Sequence, residues 1–134
     1  MKAHCTAAIG LVLAASPAFA HHPFTSQFDA NAPVHLTGKV TQVNWNNPRV
    51  LIFMTATAAN GNQIWTLEAA SPTELSRKGW TQNTLKIGDQ IKVDGYRAKE
   101  NLMTAAARVI ELPDGKKLSA ADDADGGPKS PPAP

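Results

Sequence analysis

Two histidines in succession, His21 and His22, stand directly behind the small-residue junction Ala18-Phe19-Ala20. If a signal peptidase cuts after Ala20, His21 becomes the first residue of the mature chain. Its free α-amine and its Nδ1 can then close one chelate ring on a metal, and His22 or His35 can supply a further nitrogen. Nitrogen ligands of this kind suit copper(II) and zinc, so copper is the candidate cofactor. Pro23 has no amide proton, so a deprotonated backbone nitrogen is not on offer at the third position and the ligands must be amine and side chains. The alternative is a polar arm whose two histidines are simply solvated, with His35 a surface residue of a strand.

A second set of residues has the makings of a ligand face. Trp45, Asn47 and Arg49 surround the turn Asn46-Asn47-Pro48, and Trp65, Tyr96 and Arg97 could extend the same surface. Aromatic faces beside amide and guanidinium donors suit a sugar or another small organic molecule. Against this stands the plain alternative that Trp45 and Trp65 are core residues and Asn47-Pro48 only a turn. Catalysis finds little to work with. Glu68, Glu74, Asp89 and Asp94 are scattered, Ser71 lies before a proline at a helix start, and the glycines mark turns without forming a phosphate loop. The expectation is a non-catalytic binding or accessory module, its partner an unknown small molecule or a protein docking on strand edges or the arm.

These residues need a scaffold, and the chain supplies one of modest size. Residues 1–20 read as a secretory leader: Lys2 opens it, Ala7 to Ala15 is apolar but too short to span a bilayer, and Pro17 precedes the cleavage site. The one cysteine, Cys5, lies inside that leader, which leaves the mature chain without disulfide, thiolate ligand or cysteine nucleophile. The expected location is therefore a periplasm, with no membrane anchor after cleavage. Thirteen Lys and Arg stand against eleven Asp and Glu, a near-neutral balance that argues against nucleic acid held through phosphate contacts. A monomer is expected.

Residues 21–33 hold Phe24 and Phe28 between Pro23 and Pro33 and read as an arm anchored by two aromatic rings. The domain is expected over residues 34–118. Leu36, Gly38 and Val40 alternate, then Val43 and Trp45 continue on the opposite parity, as a β-bulge would make them. Strands follow over Val50 to Thr57 and Ile64 to Ala69, joined at Asn60-Gly61, where both central turn positions are expected at positive φ. Ser71-Pro72-Thr73-Glu74 opens a short helix with a capping box, and Gly79 ends it. Further strands run from Ile91 towards Tyr96 and from Met103 to Leu112, with a last return through Leu118. Residues 119–134, rich in Ala, Asp, Gly and Pro, read as a disordered tail. Five strands with a helix between the third and fourth give an all-β, OB-fold-like barrel.

With these elements placed, His21-His22-Pro23-Phe24, Leu36-Thr37-Gly38-Lys39-Val40, Trp45-Asn46-Asn47-Pro48, Arg77-Lys78-Gly79-Trp80-Thr81 and Gly88-Asp89 followed by Gly95-Tyr96-Arg97-Ala98 together resemble one family. It is that of small exported bacterial proteins called domain of unknown function 6152. The resemblance covers nearly all of the mature domain and implies kinship without an activity. Relatives in that family usually have a histidine directly after the Asn-Pro pair. Arg49 stands there in this chain, so a metal role at that position is not carried over.

Overall fold

In the computed structural model, which describes residues 23–134, the longest strand is the one the rest pair around. This strand, β1 (Phe28–Asn44), turns Val34, Gly38 and Val40 inward, and its register slips between Val40 and Gln42. The slip is the bulge that the parity change implied, and it keeps Val43 and Trp45 packed against the core. β1 starts six residues earlier than the alternation suggested. Phe28 pairs with Ala98, so the arm contributes its second half to the sheet.

β2 (Leu51–Ala58) and β3 (Gly61–Glu68) form a hairpin beside β1. Ala58 pairs with Gly61, so the two linking residues are Ala59 and Asn60. Only Gly61 carries a positive φ, of 114°. The expected turn centre thus moves back by one residue, because the position that needs left-handed backbone is the one without a Cβ.

α2 (Pro72–Arg77) follows β3. Ser71 Oγ accepts from the Glu74 N–H at 3.2 Å, but Glu74 does not return the bond. Its Oε1 instead accepts from the Asp123 N–H at 2.8 Å, so half of the capping box is used to hold a distant segment. At the other end Gly79 has φ 94°, and the N–H groups of Trp80 and Gly79 bond back to Leu75 and Ser76. That pattern ends a helix by satisfying its last carbonyls.

β4 (Gln90–Ala98) and β5 (Thr104–Glu111) complete the ring. β1 pairs antiparallel with β2 and β4, β2 with β3, and β4 with β5, while β3 meets β5 in parallel over Thr66–Glu68. Five strands therefore close on one another with the helix between the third and fourth, in the order expected. A sixth, β6 (Lys117–Ser119), adds to the outer side of β5. The described residues are all-β apart from α2 and a four-residue helix, α1 (Phe24–Gln27).

The interior holds Val40, Ile52, Met54, Trp65, Leu67, Ile91, Val93 and Ile110, with Leu75, Trp80 and Leu85 across one end. Removing each large side chain from water stabilises the fold by about 1.5–3 kcal/mol. A smaller cluster of Phe24, Phe28, Tyr96 and Ala106 lies on the outer face, since its neighbours Ala105 and Ala107 point the other way into the core. α1 is thus a lid over the outside of β4 and β5.

The segment expected as a disordered tail begins with ordered contacts. Ser119 pairs with Val109, Ala120 and Ala121 are buried, and the Trp80 indole N–H donates to the Ser119 carbonyl at 2.8 Å. Asp125 forms a two-pronged ion pair with Arg108, at 2.9 and 3.2 Å. A composition poor in apolar residues cannot form a core of its own. It can still dock on one, and these small alanines fit where bulk would not.

Candidate functional site

α1 exists because Pro23 opens it and the rings of Phe24 and Phe28 have somewhere to go. Phe24 meets Tyr96 edge-on at 5.6 Å and Phe28 at 5.5 Å. The end of β4 grips the helix from the other side. The Lys99 N–H donates to the Gln27 carbonyl at 2.9 Å, and Lys99 Nζ to the Thr25 carbonyl at 2.5 Å.

Between α1 and the loop from β4 to β5 a cleft of about 260 Å³ opens. Ser26, Gln27 and Phe28 form one wall, Ala98, Glu100 and Asn101 the other, and Glu68 reaches it from the end of β3. Glu68 is half-buried, with Arg49 Nη1 at 3.8 Å from its Oε1. Asn101 Oδ1 accepts from the Met103 N–H at 3.0 Å, which fixes the amide and leaves its NH₂ group to donate. The cleft therefore offers two carboxylates, two side-chain amides and an apolar strip of Phe28 and Ala98. That combination suits a small molecule carrying hydroxyl or amino donors.

The residues singled out by type and spacing do not form one surface. Trp65 is buried in the core, and Arg97 stacks over its ring with Cζ 5.3 Å from the centroid. Tyr96 is buried beneath Phe24. Trp45 is partly buried against the core, and only Asn47 is fully open to solvent, next to a cis peptide to Pro48. The plain reading therefore holds for Trp65, while Trp45 is only partly buried, and Tyr96 joins Trp65 as a packing residue. Arg49 alone borders the cleft, through Glu68.

His35 pairs across strands with Asp94, Nδ1 to Oδ1 at 2.7 Å. His21 and His22 lie outside the described residues. Among the described residues no three histidine, cysteine or carboxylate side chains gather as a metal cluster.

Glu68 was visible in the sequence only as one scattered carboxylate, and Glu100 and Asn101 only as residues between two expected strands. Their meeting depends on the parallel contact of β3 with β5, which local spacing does not reveal. Arg108 left a better trace: a cation after three alanines, inside a strand, that needs a partner wherever it is buried.

No curated protein and no solved structure matches the sequence. The family of unknown function DUF6152 matches residues 8–107. That span is most of the 134 residues, and the chain belongs to the family of unknown function DUF6152.

Proposed function

We propose that this chain is an exported, non-catalytic binding module that holds a small hydroxyl- or amino-bearing organic molecule in the cleft between α1 and the β4–β5 loop. The observation that carries this reading is the half-buried Glu68 carboxylate at the cleft, whose lining also includes the apolar side chains of Phe28 and Ala98. A charged acceptor beside an apolar wall recognises one edge of a ligand by hydrogen bonds and the other by contact. Non-catalytic action is supported by the engagement of the Ser26 hydroxyl, which donates to the Pro23 carbonyl at 2.7 Å. Export is supported by the leader pattern of residues 1–20.

Calorimetric titration of the purified protein with simple sugars, polyols and small amines tests the reading. Saturable binding is expected, weakened at least tenfold in Glu68→Gln, as loss of a charged hydrogen bond of about 1.5–3 kcal/mol requires. Glu111→Gln, away from the cleft, should bind as wild type does. Binding indifferent to Glu68→Gln, or no saturable binding of any of these compounds, overturns it.

A second reading, copper binding through His21, His22 and His35, is favoured by the His35–Asp94 pair. A carboxylate at Nδ1 orients the ring and leaves Nε2 facing outward as a ligand, the arrangement commonly seen behind metal-bound histidines. Phe24, three residues after His21, is anchored on Tyr96, on the same outer face as Asp94. Three extended residues reach about 10 Å. Protein processed after Ala20 and dialysed should retain one copper per chain, and lose it on His35→Ala or when a residue precedes His21. Failure to retain copper sinks this reading and leaves the cleft untouched.

A further inference from the structure

We propose that the free edge of β3 is a self-association surface, on which a second copy of this chain adds its own β3 antiparallel to form a two-fold dimer. β3 uses only its last three residues, Thr66–Glu68, to meet β5. The Thr66 N–H donates to the Met103 carbonyl at 3.0 Å, which fixes the direction of the even-numbered residues: their N–H and C=O groups face away from β2. Asn62 and Ile64 therefore present donors and acceptors outward, and among the described residues no strand pairs with them.

The two free edges of this sheet are built differently. β6 is three residues long and carries Lys117, with Lys116 just before it. Short length and lysine are the devices that keep an edge from pairing. β3 has neither. No charged residue occurs between Arg49 and Glu68, across the whole β2–β3 hairpin. Ile64 is 72 % exposed on this edge strand, and the adjoining loop exposes Leu102 at 64 % and Met103 at 38 %.

An uncharged edge is what tolerates its own copy, because a two-fold axis sets the residues nearest to it beside their duplicates, and any charge there beside a like charge. With the axis through Gln63, Asn62 of one copy faces Ile64 of the other, and the outward groups of both pairs exchange hydrogen bonds. The register then places the Ala59–Asn60 turn of the second copy opposite Thr66, where Met103 ends the existing pairing. The exposed loop side chains Leu102 and Met103 lie at that junction. Asn62 and Ile64, which carry the free edge, are not among the residues that line the cleft.

Sedimentation velocity over a concentration series reaching the millimolar range tests the proposal. Wild-type protein is expected to pass from monomer to dimer. Ile64→Lys, which puts two like charges diagonally across the pair at an exposed position, should shift the midpoint at least tenfold upward or abolish dimerisation, with an unchanged thermal melt. Ile87→Lys, at an equally exposed position outside β3, should dimerise as wild type does. A monomer at every concentration, a dimer indifferent to Ile64→Lys, or open-ended aggregation in place of a dimer overturns the proposal.

Discussion

Arg108 carries its charge out of water almost completely, at 1 % exposure, and the local arrangement shows what makes that tolerable. Both terminal nitrogens bond to Asp125, the guanidinium lies 4.6 Å from the centroid of the Phe24 ring, and Nε has no partner among the described residues. Asp125 Oδ1 also accepts from the Gly127 N–H, and its carbonyl accepts from the Phe24 N–H, each at 2.8 Å. Breaking a buried pair by removing one charge leaves the other stranded, at a cost of about 3–5 kcal/mol. Asp125→Asn should therefore lower the thermal midpoint by more than about 10 °C, while Asp122→Asn changes it little. A melt of Asp125→Asn superimposing on wild type would show that Arg108 finds its stabilisation elsewhere.

Among the strands, two glycines set how closely neighbours approach. A Cβ at Gly38 would overlap the Thr55 carbonyl oxygen, and one at Gly95 the Ala106 carbonyl oxygen. β1 and β4 each bend at a register slip near these points, so the ring closes where side chains are absent. Gly38→Ala should cost about 3 kcal/mol or more, since backbone on the facing strand must move; urea denaturation measures it. A loss below about 1 kcal/mol would mean that β1 and β2 separate easily. Gly38 was legible as a member of the alternating run just before the bulge. That it faces a carbonyl was not, because strand pairing decides it.

At the scale of the molecule, the start of the described chain and the segment around Asp125 meet on the outside of β5. Phe24 and Asp125 are joined directly, and Lys78 ties the segment after β6 to α2 through Glu74, Asp123 and the Ala121 carbonyl. Hydrogen bonds from Lys129 and then Lys78 hold the Asp123 carboxyl below the usual carboxylate range. A depressed carboxyl stabilises the folded form above its ordinary value, and that contribution is lost as pH falls through its folded value. An NMR titration should find the Asp123 midpoint below that of a free aspartate, rising towards it in Lys129→Ala. An unmoved midpoint in the variant would show that Lys129 does not act on it. Asp123 is well exposed, so this clasp tunes the attachment of the tail more than the stability of the core.

The sequence by itself determined the parts that depend on near neighbours. Alternation placed the strands, the parity change in β1 revealed its bulge, and Ser71, Pro72 and Gly79 bounded α2, because periodicity, capping and backbone freedom act over a few residues. Membership of the family was legible for the same reason, in short motifs. Tertiary structure alone decided the rest. Trp65 and Tyr96 could have faced a ligand or a core, and the closure of β3 on β5 and the docking of Phe24 buried them. Glu68 was one carboxylate among several until that closure set it at the cleft with Glu100 and Asn101. Segment 119–134 had the composition of a disordered tail, and the buried Arg108, through its ion pair with Asp125, holds part of it on the domain.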